Sequence, residues 1–138
     1  MQAQTIIVAI FSLCGVLLGG GLQYLFGRAL ESRRQLTLQR SQAYVDYFKA
    51  VALIAQNGRS KDNLSMAADA KVRICIYGSG KVIKHLSDFE ATGANTKSLE
   101  GQAVIVGLLA EMRKDIAKDS NAIGEPELQS ILFGPRQA

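Results

Sequence analysis

The sequence predicts an all-α protein in which an N-terminal transmembrane helix continues into a stalk helix and a small helical bundle. The stretch from Thr5 to Gly27 contains no charged residue, and apolar residues recur at helical spacing through the rest of the chain. Only 2 prolines occur among the 138 residues. A hydrophobic share of 48% with 13 glycines is typical of a globular chain and excludes a collagen-like or disordered one.

The first predicted element is a membrane span from Ile6 to Phe26. An α-helix needs about 20 predominantly apolar residues to cross the hydrocarbon layer, and this run is 21 residues long, 15 of them apolar. A cleaved signal peptide is the alternative, but no Lys or Arg precedes the run and no small-residue cleavage site follows it. We therefore expect residues 1–27 to form an extracytoplasmic N-terminus and an uncleaved transmembrane helix, and residues 28–138 to form a cytoplasmic domain.

Basic residues beside the span predict its orientation. The segment 28–59 carries the whole formal net charge of +4, because the charges beyond it cancel. The positive-inside rule places the domain in the cytoplasm and the short N-terminus outside, at a bacterial inner membrane. The residues expected at the interface with the anionic inner leaflet are Tyr24, Arg28, Arg33, Arg34 and Arg40. Orientation alone would also explain the arginines, and nucleic-acid binding is not expected because aromatic residues do not alternate with them.

Glycines within the span form a candidate packing face. Gly15 and Gly19 have GxxxG spacing, and Gly20 and Gln23 extend the same segment. Small residues four apart let a second helix approach closely, which predicts a homo-oligomer or docking to another membrane protein. The alternative is that glycine is simply frequent in membrane helices.

The cytoplasmic part is predicted to begin within one uninterrupted helix, because neither Pro nor Gly occurs between Arg28 and Gln56. Residues 28–42 form a basic juxtamembrane neck. The helix then acquires an apolar face and ends at Asn57-Gly58. The residues assigned to that face are Tyr44, Val45, Phe48, Val51, Ala52 and Ala55.

A second helix is predicted from about Asp62 to Tyr77, with Ser60 or Asp62 as its cap. The residues assigned to its core side are Leu64, Ala68, Val72 and Cys75. The alternative for Val72–Lys84 is a β-hairpin, because residues 72–77 alternate in polarity and a Gly-Ser-Gly sequence follows. Helical spacing of the later apolar residues favours a break and a third helix that ends at Thr92-Gly93. Those apolar residues are Val82, Ile83, Leu86 and Phe89.

Two further helices complete the predicted bundle. The fourth is defined by an apolar stripe formed by Leu99, Ile105, Leu109, Met112 and Ile116. The fifth begins near Pro126, which suits the first turn of a helix, and ends at Gly134-Pro135. The residues expected to be buried on it are Leu128, Ile131, Leu132 and Phe133.

The sequence contains no recognisable catalytic or metal-binding constellation. The GSGK sequence at 78–81 lacks the upstream glycine and the following Ser or Thr of a phosphate-binding loop. His85 is the only histidine, and Cys14 and Cys75 lie in different segments without a second ligand at metal spacing. We therefore expect no enzymatic activity, no cofactor, no metal and no small-molecule substrate.

The N-terminal span combines with four short sequences, Arg40–Phe48, Ile76–Ser79, Met112–Asp115 and Leu132–Pro135. This layout resembles that of small bacterial single-pass membrane proteins with a helical cytoplasmic domain. The resemblance implies a bacterial inner membrane and carries no activity. We expect a non-enzymatic interaction protein, an accessory, scaffold or assembly subunit of an inner-membrane complex or homo-oligomer. The alternatives are a membrane-perturbing or pore-forming effector of phage or defence type, and a membrane-tethered enzyme.

Overall fold

The computed structural model describes the backbone of residues 2–117 and 123–134, with side chains from residue 20 onward, and contains five α-helices and no strand in these ranges. The helices are α1 (Gln2–Asn57), α2 (Lys61–Tyr77), α3 (Gly80–Ala91), α4 (Leu99–Ile116) and α5 (Glu125–Phe133). The all-α class is confirmed, and the β-hairpin alternative for Val72–Lys84 is excluded. The chain divides into two compact units, residues 1–36 and residues 37–138.

Serine side chains begin three of the helices. The hydroxyl oxygens of Ser60, Ser79 and Ser98 each accept a hydrogen bond from the backbone N–H three residues later. Such a cap satisfies one of the backbone donors that a helix leaves unpaired in its first turn. At the other end of α1, Gly58 adopts a φ of +80°, a conformation that a side chain disfavours. The predicted end of this helix at Asn57-Gly58 is therefore confirmed.

The second unit has a hydrophobic core built from four helices. α3 packs mainly on α4, and α5 also packs on α4. A second, smaller cluster joins α5 to α4 through Val106, Ala110 and Leu128. The main cluster consists of Ala43, Tyr44, Tyr47, Ala70, Ile74, Val82, Leu86, Phe89, Ile105, Leu108 and Met112.

The buried face of α1 differs from the predicted one. Tyr44 is buried as expected and Phe48 and Val51 are partly buried, but Val45 and Ala52 are exposed. The buried positions of this helix in the second unit are Ala43, Tyr44, Tyr47 and Ala50. The alanines allow close helix approach, and the tyrosine rings between them fill the core while their hydroxyl groups reach polar partners.

The core side predicted for α2 is wrong. Leu64, Ala68, Val72 and Cys75 are all exposed, whereas Ala67, Ala70 and Ile74 are buried. Small side chains on the buried face let α2 approach the tyrosines of α1, because the rings already occupy most of the space. Ile74 is the large apolar residue that α2 places in the core, and Leu64, Met66, Val72 and Ile76 are left at the surface.

Three predicted core positions of α4 and α5 are also wrong. Leu99, the first residue of α4, is 76% exposed, and Ile131 of α5 is 78% exposed. Leu132 is exposed as well, while Leu128 is buried and Phe133 is partly buried. A helix of nine residues that packs on one neighbour buries one face only, so the remaining apolar side chains of α5 face solvent.

Candidate functional site

The residues predicted to contact lipid or a partner helix fall mainly in the first unit. Gly15 and Gly19 lie outside the residues whose side chains the structure describes. Gly20 is exposed, with open space where a side chain would stand. The other predicted residues of this unit, all exposed, are Gln23, Tyr24, Arg28, Arg33 and Arg34.

Large apolar side chains of the first unit are also exposed. Leu22, Tyr24, Leu25 and Phe26 each present more than half of their surface. At 100° per residue these positions surround the helix rather than form one stripe. Within the part of the chain whose side chains are described, no helix is long and apolar enough to cross a membrane. Residues 6–19 of the predicted span lie outside that part.

Arg40, predicted to lie at the lipid interface, makes contacts inside the second unit. Its Nε donates to the carbonyl oxygen of Tyr77 at 2.7 Å, and its guanidinium pairs with the Oδ1 of Asp115 at 3.1 Å. The side chains of Arg40 and Asp115 are only 21% and 12% exposed. Arg40 therefore joins α1 to the end of α2 and to the last turn of α4.

Tyr44 completes this polar contact from one turn further along α1. Its hydroxyl group donates a hydrogen bond to the Oδ2 of Asp115, so that the carboxylate is held by two residues of the same helix. Burial of the ring, reinforced by the adjacent carboxylate, raises the pKa of the Tyr44 phenol well above its ordinary value. The neutral phenol is therefore the form that this site stabilises.

A second polar cluster surrounds Glu90 at the end of α3. The hydroxyl group of Tyr47 donates to Oε1 of Glu90 at 3.0 Å, and the ammonium group of Lys71 pairs with Oε2 at 3.1 Å. Burial, followed by the charge of the carboxylate and its hydrogen bond, raises the pKa of Tyr47 well above the ordinary range. This cluster joins α1, α2 and α3.

A cavity of about 520 Å³ opens beside Tyr47, and we call it the Tyr47 cavity. One wall is apolar and is formed by the last turns of α1 and the first half of α2, including Val51, Ile54 and Leu64. The polar part of the lining comes from the Glu90 cluster and from residues 93–97 between α3 and α4. Arg59, in the loop between α1 and α2, bridges the mouth by donating to the carbonyl oxygen of Gly93 at 2.9 Å.

The motifs considered from sequence have structural roles at the α2–α3 junction. Ser79 is the N-cap of α3, and a side chain at Gly78 would lie 2.6 Å from the carbonyl oxygen of Ile74. The Nδ1 of His85 lies 2.9 Å from the carbonyl oxygen of Lys81 on the same helix. Over the described ranges, no three His, Cys, Asp or Glu side chains are arranged to hold a metal ion.

Sequence reasoning missed the partner of Arg40, the Glu90 cluster and the Tyr47 cavity. The sequence pattern of α4 places Asp115 on the solvent side, next to Ile116 of the apolar stripe, whereas the structure covers its carboxylate, which then requires a partner. The cavity had no sequence signal, because its walls come from three helices and two loops. Comparison with protein families, with curated proteins and with solved structures finds no significant match to this chain.

Proposed function

We propose that the chain is a single-pass membrane protein whose helical domain acts by non-enzymatic interaction at the cytoplasmic face of a bacterial inner membrane. The observation that carries this proposal is the exposed apolar surface around Leu22–Phe26. This surface lies within the uncharged run from Thr5 to Gly27. A helix that is apolar all round requires an apolar surrounding, and lipid provides one.

Charge supports the orientation in this proposal. Arg28, Arg33 and Arg34 follow the apolar run and are exposed, as basic residues at an anionic membrane surface would be. Each cation near such a surface contributes about 1 kcal/mol of attraction. Arg40 does not take part, since its guanidinium is paired with Asp115 inside the second unit. The residues that we propose to face lipid are therefore Tyr24, Arg28, Arg33 and Arg34.

Exposed apolar residues of the second unit supply a surface for a protein partner. Ile131 and Leu132 are exposed on α5, beside Leu128, which is buried against α4. Large exposed apolar side chains next to an ordered core are typical of association surfaces. We assign the scaffold or assembly role to this surface of α5 together with the glycine face of the span.

Extraction of membranes at alkaline pH tests the anchor. Changing both Leu17 and Leu18 to Arg places two charges near the centre of the run, each costing about 2.5–3.5 kcal/mol on insertion. We expect the wild-type chain to stay in the membrane pellet and the double variant to appear in the supernatant. Leu38→Arg, a change at an exposed position beyond the run, is the matched control and should remain in the pellet. Release of the wild-type chain would refute the anchor.

Two pairs of variants test association. Gly15→Ile combined with Gly19→Ile removes the small-residue face, and we expect less in-membrane crosslinking between copies if this face is the self-association surface. Ile131→Glu places a charge on α5, and we expect it to remove copurifying proteins that Ser130→Glu, a neighbouring exposed change, retains. Unchanged crosslinking and unchanged copurification would together refute the interaction role.

A further inference from the structure

The Tyr47 cavity is preformed and has the size of a small-molecule site. Its volume of about 520 Å³ lies within the range of roughly 300–1,000 Å³ in which most ligand sites fall. Tyr47 is held against Glu90 at the base, and Ala67 is buried beside it. A ligand that enters would meet ordered side chains instead of having to order them, which favours binding.

The loop between α3 and α4 is fixed in the shape that closes one side of the cavity. Gly93 and Ala94 have φ angles of +74° and +50°, and such a conformation is uncommon for alanine. The amides of both residues donate to α3, that of Gly93 to the carbonyl oxygen of Glu90 and that of Ala94 to the carbonyl oxygen of Phe89. The polar wall formed by residues 93–97 is therefore part of the folded bundle.

The charges at the cavity favour an anion. Three cationic side chains, Arg59, Lys71 and Lys97, line it against a single carboxylate, Glu90. That carboxylate is already bonded to Lys71 and to the Tyr47 hydroxyl group. Among the described residues, Arg59 and Lys97 pair with no carboxylate, and Arg59 uses one N–H group on the Gly93 carbonyl oxygen. A guanidinium carries five such donors, so several remain for a ligand.

The apolar wall requires that the same ligand also carry a hydrocarbon part. Val51, Ile54 and Leu64 line the same cavity as the cations, together with the exposed Ala55. A free inorganic anion would leave this wall wet, and a neutral hydrocarbon would leave the cations unused. Because the lining combines cations with apolar side chains, we propose that the Tyr47 cavity binds a small amphiphilic anion. Such a ligand has a carboxylate or phosphate head on a short hydrocarbon chain. The proposal is independent of the membrane anchor, because every residue that carries it belongs to the second unit.

Photocrosslinking to the full chain in nanodiscs tests the proposal. The probe is octanoate carrying a diazirine on its chain, and mass spectrometry locates the crosslinked residues. Octanoate and octyl phosphate are the competitors that share both parts of the ligand. Octyltrimethylammonium keeps the chain and reverses the charge, whereas acetate and inorganic phosphate keep only the head. We expect the probe to crosslink to the cavity wall. Octanoate and octyl phosphate should remove these crosslinks, whereas octyltrimethylammonium, acetate and inorganic phosphate should leave them in place.

Two variants with matched controls separate binding in the cavity from partitioning into lipid. Ala55→Trp fills the mouth from an exposed position, and Ala52→Trp adds the same ring to the same helix outside the cavity. Arg59→Gln combined with Lys97→Gln removes the two cations, and Lys81→Gln combined with Lys84→Gln removes two exposed cations elsewhere. We expect the first member of each pair to lower probe affinity by about tenfold or more and its control to leave it unchanged.

All of these positions are exposed, and thermal unfolding should show that each variant folds. Stronger competition by octanoate or by octyl phosphate would identify the preferred head group, and either result supports the proposal. Equal competition by octyltrimethylammonium, by acetate or by inorganic phosphate would overturn it. Crosslinking that is unaffected by Ala55→Trp would overturn it as well.

Discussion

Replacing Asp115 by alanine should destabilise the second unit far more than its position near the end of α4 suggests. The carboxylate accepts hydrogen bonds from the Arg40 guanidinium and from the Tyr44 hydroxyl group, and its side chain is 12% exposed. A hydrogen bond to a charged group contributes about 1.5–3 kcal/mol. Without Asp115, Arg40 would stay largely covered with only the Tyr77 carbonyl oxygen as a partner.

The size of this effect follows from what remains after the substitution. Loss of one partner of a buried ion pair costs about 3–5 kcal/mol. Arg40 is 21% exposed and keeps one hydrogen bond, so part of its charge can still be hydrated. We therefore expect a loss of about 2–4 kcal/mol in the free energy of unfolding of this unit. Simultaneous replacement of Arg40 by leucine should recover at least about 1 kcal/mol of that loss, since the stranded charge is then removed.

Amide hydrogen exchange measures the effect without interference from the first unit. Amides of fully buried residues such as Ile74 and Leu108 exchange through opening of the core. We expect Asp115→Ala to accelerate their exchange about 30-fold to 700-fold. Lys114→Ala is the matched control, because Lys114 is next to Asp115 and, among the described residues, forms only an exposed ion pair with Glu111. This change should alter the free energy of unfolding by less than about 0.5 kcal/mol. Exchange that is equal in the Asp115 and Lys114 variants would refute the reasoning.

Three other predictions concern the second unit. Because the folded-state pKa of Tyr47 is raised, its stabilising effect is complete below pH about 10 and is lost as pH rises further. The loss in free energy of unfolding between pH 10 and 11 should exceed that of Tyr47→Phe by about 1 kcal/mol, because half of the unfolded phenol is already ionised at pH 10, and equal slopes would contradict it. Gly101→Ala should cost about 1–3 kcal/mol in denaturant unfolding, because its side chain would lie 1.7 Å from a backbone oxygen, whereas Gly80→Ala meets open space and should cost nothing. Leu108→Ala should lower stability by about 2–5 kcal/mol and Leu99→Ala by less than about 0.5; similar melting temperatures for the two would contradict the assigned core.

The helix boundaries were predictable because they depend on neighbouring residues. A serine before each of α2, α3 and α4 supplies the cap, and Gly58 supplies the left-handed turn after α1. These signals act over three or four positions and do not require knowledge of the tertiary fold. The class and the order of elements followed from them.

The buried faces were less predictable, because packing rather than hydrophobicity selects them. On α2, Ala67, Ala70 and Ile74 face the core and Val72 does not, although a valine is as apolar as the residues that are buried. The Arg40–Asp115 pair joins residues 75 positions apart, and the Tyr47 cavity is assembled from three helices and two loops. Contacts of this range leave no periodic pattern in a single sequence.

Labelling of Cys75 tests the proposed membrane topology most directly. This thiol is exposed on α2, and Cys14→Ser leaves it as the single cysteine of the chain. A maleimide that cannot cross membranes should label the variant in inverted inner-membrane vesicles and leave it unlabelled in intact spheroplasts. Labelling in intact spheroplasts, or recovery of the chain in the soluble fraction, would contradict a cytoplasmic domain held by an N-terminal membrane helix.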